Sequence, residues 1–584
     1  MKFLRNFLAA FTALIAFFGI GFLMFFGIVA ALSASDNTII NENSILHLKL
    51  NKPIIEIEGE DDPFAGLPIF GEGNNNIGVV QLKNAIANAA TDNNIKGIYL
   101  DVPYLMAGFG NVEEIRNALL TFKESGKFIV AYADFYTEGA YYLASVADKI
   151  FLNPEGDLEF NGLSINTTFF KGTFEKLGIE PQIFRVGDFK SAVEPFIREN
   201  MSDANRLQLT SVLESLNGNL LQNVAESRGI DLNELSDISR EMKIRKAQDA
   251  VSTGLIDGVL YYDEVLNDLM NRVEVDKEKD LAFVSYDDYK KSGSNFKSSG
   301  NEVAVIVATG DIVRGEGRQG ESIGGKKFAN GIRKARLNDK VKAIVLRINS
   351  PGGDFVASDM MWREIALASD VKPVIASMSD YAASGGYYMA MACDTIVAQP
   401  TTITGSIGIF GMLFNAEGFL KEKLGVTHDV VRTGDYSDIL TVTRPLSDGE
   451  KAIIQQGTND GYETFTTKAA EGRGMAKEDL LKIASGRVWT GQQALDNGLV
   501  DMLGGLDDAI AIAVDKANIA DDYKLRYYPK YESFIERILN GGGNVKTQMI
   551  QEELGEMYIY VKEINKLKNY QGIQARMLYD ISLQ

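Results

Sequence analysis

The chain carries one segment twice, and this constrains its fold more than any other feature. Asp380 to Ala390 reads DYAASGGYYMA and Asp134 to Ala144 reads DFYTEGAYYLA, with five of eleven positions identical at an offset of 246 residues. The correspondence extends to both sides. Thr91–Val102 (TDNNIKGIYLDV) matches Arg336–Ile348, with Lys96 on Lys342, and Lys127–Asp134 falls on Pro373–Asp380. Phe184–Ala192 (FRVGDFKSA) falls on Val431–Ile439 (VRTGDYSDI), and Lys246–Asp257 falls on Thr490–Asp501. A register held over about 170 positions is far too long a period for a solenoid, so the chain reads as two tandem copies of one domain.

Within each copy, short β-branched runs alternate with helical spacing. EVAVIVATGDI and KAIVLRI are apolar on both faces, as buried parallel strands are. The stretches GKKFANGIRKARLND and DFVASDMMWREIALAS have helical periodicity, and ILHLKL predicts a first strand for the first copy. Strand and helix in alternation imply an α/β domain with right-handed crossovers. The boundaries this gives are an anchor at 1–40, a first copy at 41–285, a linker at 286–300, a second copy at 301–530 and a tail at 531–584. The linker is polar and Ser/Gly-rich, and the tail has helical stretches split by NGGGN.

The anchor follows from the N-terminus. Lys2 and Arg5 precede Phe7–Leu32, which runs 26 residues without a charge. As a helix this spans about 39 Å, enough to cross a hydrocarbon core of about 30 Å with tilt. The leading positive charges should stay in the cytoplasm. The expected location is therefore the cytoplasmic membrane, single-pass, with the bulk of the chain on the outer, periplasmic side. A cleaved signal peptide is the rival reading, but the apolar run is about twice the usual length for one. The net charge of −20 argues against nucleic acid as a partner. With one cysteine, Cys393, and two histidines, no intrachain disulfide is possible and no metal site or cofactor is expected.

The copies differ where chemistry would sit. The second has INSPGGD (Ile348–Asp354) after a strand, where the first has YLMAG (Tyr104–Gly108). The second has Ser384 where the first has Glu138. A tight turn would explain a lone Pro-Gly-Gly, and a helix N-cap a lone serine. Together, however, both lie just beyond the carboxyl ends of strands, where open α/β sheets place ligands. A serine nucleophile needs N–H donors aimed at a developing oxyanion, and those of Gly353 and Gly385 are suitably placed in the sequence. It also needs a base. Neither His47 nor His428 (GVTHDVV) sits in a catalytic setting, which turns the search to a lysine. Lys190, in VGDFKSAVEPF, has Phe189, Ala192 and Val193 beside it, and its second-copy equivalent is Ser437. Burial among apolar neighbours would favour the neutral amine that a base requires. Ser406, in TITGSIGIFG, is the candidate to hold that amine. Only the first copy has the lysine and only the second the serine, so neither half could perform Ser/Lys chemistry alone.

GDFKSAVEPFIREN, RINSPGG, DYAASGGYYMA and TGSIGIFG, in this order behind an apolar anchor, resemble the signal peptide peptidase A family in its long, tandem-domain bacterial form. The similarity runs from the anchor to about residue 515 and leaves the tail without a counterpart. The resemblance implies an S49-type Ser/Lys endopeptidase of Clp-protease/crotonase-like fold, anchored in the cytoplasmic membrane and degrading released signal peptides. By motif, Ser384 would be the nucleophile, Lys190 the general base and Ser406 the residue positioning the lysine. It further implies a ring-like homo-oligomer, often a tetramer. Apolar peptide substrates would need apolar pockets, expected near Tyr387, Ile409 and Phe410. Two other readings compete. A crotonase-like acyl-CoA enzyme would use Gly353 in the same way, but CoA thioesters are cytosolic. A non-catalytic, membrane-tethered binding protein on a protease-like scaffold would not need Ser384, Lys190 and Ser406 in complementary places.

Overall fold

The apolar runs of both halves form parallel strands in a computed structural model that describes residues 2–33, 40–59, 76–292, 300–520, 522–529 and 572–577. In the first half the sheet order is Gly258–Val259, Lys149–Leu158, Phe128–Tyr136, Ile95–Asp101, Ser44–Lys49 and Phe283–Ser285, all parallel. In the second half Met502–Leu503, Thr395–Ala398, Val374–Ala383, Val341–Ser350, Glu302–Thr309 and Lys524–Tyr528 follow the same order, again parallel. The central strands are apolar on both faces because helices cover both. Ile98, Leu100, Val345 and Ile375 are fully buried. Each half also sends out a 26-residue helix, Asp203–Arg228 and Asp448–Arg473. Ser202 and Ser447 cap their N-termini, and Gly229 and Gly474 end them in the left-handed conformation that glycine adopts without penalty.

The halves are packed together. Ile57 and Val80 of the first share a core with Val303, Val345, Ile375 and Leu506 of the second. A buried polar network runs across the same junction. Arg347 donates to Glu56 (2.7 Å) and Glu114 (2.9 Å), and to Ser377 and Ser379 (both 3.0 Å). Asp380 accepts from the Asn111 backbone N–H and side chain (both 2.8 Å) and from Asn349 (2.9 Å). Burial raises the Glu114 carboxyl, but Arg347 and Lys83 outweigh it and hold the pKa at about 2. Burial, reinforced by Glu56, pushes Asp380 up to about 6. Asp380 lies four residues before Ser384 on the same strand, so this network fixes the strand that leads to the site.

A third, mixed sheet spans the two halves. Its order is Ser322–Gly324, Asp311–Val313, Gly352–Asp354, Gly572–Arg576, Phe410–Asn415 and Glu180–Arg185. The N-terminal helix Lys2–Ser33 has a 20-residue stretch of mean hydropathy 1.8, none of it buried against the protein.

Three expectations need correction. The linker expected at 286–300 begins as a helix, Tyr286–Ser292, because Tyr286 and Tyr289 are buried against the first half and donate to Glu58 and Asp92. Only 293–299 is left of it, and this lies outside the described residues, as does NGGGN. The tail expected at 531–584 is not separate from the second half, because Gly572–Arg576 is a strand inside the third sheet. Finally, the aligned segments around Lys190 and Ser437 are not alike. The first-half segment leaves a strand and becomes buried, whereas residues 424–438 form an exposed stretch without strands.

Candidate active site

Two adjacent parallel strands deliver two serines side by side. Val374–Ala383 pairs with Ile403–Gly405 so that Ala383 lies opposite Gly405. The next residue on each strand is Ser384 and Ser406, and the Ser384 N–H donates to the Gly405 carbonyl (2.8 Å). Both serines leave their strands at positive φ, +56° and +50°, a conformation costly for a residue with a Cβ. Ser384 does not cap the helix that follows it, Gly385–Ala390, so the hydroxyl is not used as an N-cap.

The lysine comes from the first half. After the strand Glu180–Arg185, residues 186–190 cross the second half and are tied to it. Val186 N–H donates to the Ile409 carbonyl and Phe189 N–H to the Ser485 carbonyl (both 3.2 Å). A side chain at Gly486 (φ +81°) would lie 2.7 Å from the Lys190 backbone, so this crossing requires glycine there. The Lys190 Nζ then lies 2.9 Å from Ser384 Oγ, 3.0 Å from Ser406 Oγ and 3.2 Å from the Ser406 carbonyl oxygen. All of these atoms belong to one chain, with 194 residues between the lysine and Ser384. Lys190 is 1% exposed with no carboxylate partner, and burial holds its pKa well below the ordinary lysine value.

A neutral amine has two N–H bonds and one lone pair, and Lys190 has three polar neighbours. With both N–H groups on the Ser406 oxygens, the lone pair is left for the Ser384 hydroxyl. This is the arrangement a general base needs.

Gly353 and Gly385 converge on the same place. The segment Gly352–Asp354 passes beside the start of the helix at Gly385, and a Cβ on Gly352 (φ +97°) would lie 2.6 Å from the Gly385 nitrogen. The two glycine amides therefore border one nook beside Ser384. The histidines are elsewhere: His47 lies 3.2 Å from Asp101 in the first sheet, and His428 is on the exposed stretch.

Sequence reading missed the residues that hold the lysine segment. Gln208 Nε2 donates to the Phe189 carbonyl (3.1 Å) and to Ser191 Oγ (2.8 Å). The Arg487 guanidinium lies 5.2 Å from the Phe189 ring centroid and 4.0 Å from that of Trp489. Tyr387, expected near an apolar substrate pocket, is instead a core residue whose hydroxyl donates to the Leu499 carbonyl (2.9 Å). Ile409 and Phe410 are also fully buried. In the first half Glu138 occupies the position of Ser384. Its carboxylate accepts the Gly162 N–H (3.0 Å), and burial pushes its pKa up to about 7.

The model of peptidase family S49 matches this chain twice, over residues 121–276 and 366–520. The chain is 38% identical to the chloroplastic serine protease SPPA of Arabidopsis thaliana over 515 residues, covering 86% of this chain and 74% of that protein. It is 37% identical to Protease 4 of Salmonella typhi over 505 residues, covering 84% and 81%. A putative signal peptide peptidase SppA of Enterococcus faecium is 30% identical over 236 residues, covering 40% of this chain and 68% of that one. Solved structures, among them a ClpP1 variant from Listeria monocytogenes, align at a TM-score of 0.23 (16% identity, 35% of this chain and 94% of that one), too low to bear on the fold. With the family model matching both halves and relatives similar over most of the length, the chain belongs to peptidase family S49, the signal peptide peptidase A family, and is a serine protease.

Proposed function

We propose that Ser384 is the nucleophile of this protease and Lys190 its general base, with Ser406 positioning the amine and Gly353 and Gly385 donating N–H groups to the oxyanion. The observation that carries this reading is the buried amine with three polar neighbours, one of them Ser384 Oγ. In the first step Ser384 Oγ attacks the scissile carbonyl as its proton passes to Lys190 Nζ. The tetrahedral oxygen is held in the glycine nook, a contribution worth about 3–4 kcal/mol per donor in serine proteases. Lys190 then protonates the leaving amine, and water hydrolyses the ester by the same route in reverse.

The finer architecture belongs to the same reading. The two halves, at about 41–285 and 301–530, are copies of a Clp-protease/crotonase-like domain that arose by internal duplication. The identical strand order and the family model matching twice support this. One copy kept the serine and the other the lysine. The long apolar helix Lys2–Ser33 holds the enzyme in the cytoplasmic membrane, facing outward, where apolar peptides such as released signal peptides are its substrates. The assembly is a homo-oligomer, of which a tetramer is the leading form.

Cleavage of an apolar, signal-peptide-like peptide by the wild type, Ser384→Ala, Lys190→Ala and a co-assembled mixture of both variants tests the assignment. Both single variants should be inert, and the mixture should stay inert because each dyad lies within one chain. Near wild-type turnover by Lys190→Ala would remove Lys190 from the mechanism.

A further inference from the structure

Between Gly352–Asp354 and Phe410–Met412 the third sheet has a gap one strand wide, and the chain's own Gly572–Arg576 fills it. This strand is antiparallel to both neighbours, with Gly353 opposite Ala575 on one side and Gly411 opposite Ile573 on the other. It is the only link between the ladders on either side among the described residues, so the groove is open wherever Gly572–Arg576 is absent. An extended peptide added to two exposed strand edges is a general mode of substrate recognition.

The register brings one bond to the catalytic groups. The Met577 N–H donates to the Pro351 carbonyl (2.8 Å). Hydrogen-bonded pairs recur every second residue in an antiparallel ladder, so the next such pair is Gly353 with Ala575. The Gly353 N–H therefore faces the Ala575 carbonyl oxygen. That oxygen would collide with a Cβ on Gly352 and lies 3.1 Å from where a Cβ on Gly385 would stand. It thus occupies the nook bordered by the two amides expected to stabilise an oxyanion. Arg576 and Met577 continue over the cavity at Lys190, whose other walls include Phe189, Ser406 and Gly486.

The side chains fit as a substrate's would. Ala575 is fully buried in the second-half core, leaving room for a small residue only. The Arg576 guanidinium pairs with Asp311 (2.7 Å), and Met577 packs with Ala383, Ile403 and Val488. A strand that merely completed a sheet would have no reason to present a carbonyl to these two amides.

We infer that the enzyme cuts its own chain between Ala575 and Arg576, with Gly572–Met577 bound as the substrate. This rests on the Ser384/Lys190 reading. Ser384 Oγ bonds to the Ala575 carbonyl carbon, and the Oγ proton passes to Lys190. The bond to the Arg576 nitrogen breaks, and that nitrogen takes the proton. Water then cleaves the ester, leaving a new carboxylate on Ala575 and restoring Ser384.

The test is the intact mass of the purified full-length wild type, Ser384→Ala and Ala575→Trp in detergent, with turnover of a quenched-fluorescent apolar peptide measured in parallel. The wild type should end at Ala575, while both variants keep the residues from Arg576 onward. A wild type that turns over the peptide yet keeps its tail intact overturns the self-cleavage and leaves the protease reading standing. A wild type inert toward both its tail and the peptide sinks both together. Cleavage of Ser384→Ala, or wild-type cleavage at another tail bond, overturns the proposed reaction or its register. Cleavage of Ala575→Trp as fast as wild type overturns the fit of a small residue at this site.

Discussion

Lys190 can accept a proton only as a neutral amine, and complete burial without a counter-charge is the device that keeps it neutral. The same device costs stability, and its sign is fixed. The folded-state pKa is depressed, so between it and the unfolded value of about 10.4 the unfolded chain holds one more proton. Stability therefore rises with pH across that window, and the cost is largest below the folded pKa. Lys190→Met, similar in length but without charge, should be inactive yet melt higher than wild type at pH 7, the gap narrowing toward pH 10 in a thermal-shift series. The kcat/KM profile should rise along an acid limb well below 10.5, which reports this amine. Ser384→Ala should lower kcat by about 10⁴-fold or more. Ser406→Ala keeps the carbonyl contact and loses only the hydroxyl, so kcat should fall by about 10–100-fold with KM little changed. These three side chains were legible in the sequence because the copies disagree there: a residue present in one half and replaced in the other stands out without any structure.

At the scale of elements, the active site is a crossing of two segments. Residues 186–190 lie against 406–409 and 485–487, and the backbone contacts at Gly486 set where the amine arrives. Gly486→Ala would place a Cβ 2.7 Å from the Lys190 backbone at a φ of +81°, so it should displace the lysine. The enzyme should then fold but lose at least about tenfold in kcat, with Ser384 less reactive toward a serine-directed probe. Gly486, Gln208 and Arg487 were not legible because they act on the backbone and ring of a segment almost 300 residues away. Nothing in RVWT or in a helical glutamine signals such a partner. The strands and helices were legible from periodicity alone, since buried parallel strands and amphipathic helices differ in period. The linker misled because Tyr286 and Tyr289 sit among polar residues, and two buried rings outweigh a polar composition.

Over the whole molecule, the junction between the halves depends on one guanidinium. Arg347 neutralises Glu56 and Glu114 deep in the interior, and the strand bearing it is neighbour to the one leading to Ser384. Arg347→Met leaves two buried carboxylates without their partner, a loss of roughly 3–5 kcal/mol. The variant should melt well below wild type and lose activity in proportion to the folded fraction, measured by circular dichroism beside peptide turnover. No sequence motif marks this network, because its members come from five separate strands and helices. The 194 residues between Lys190 and Ser384 also govern events during synthesis. The half that folds first presents a lysine with nothing to activate, and Glu138 where its own serine would be. The nucleophile is made later and gains its base only when the second half closes against the first. A ribosome-bound or truncated chain is therefore chemically silent, and the protease becomes dangerous to its neighbours only once it is complete.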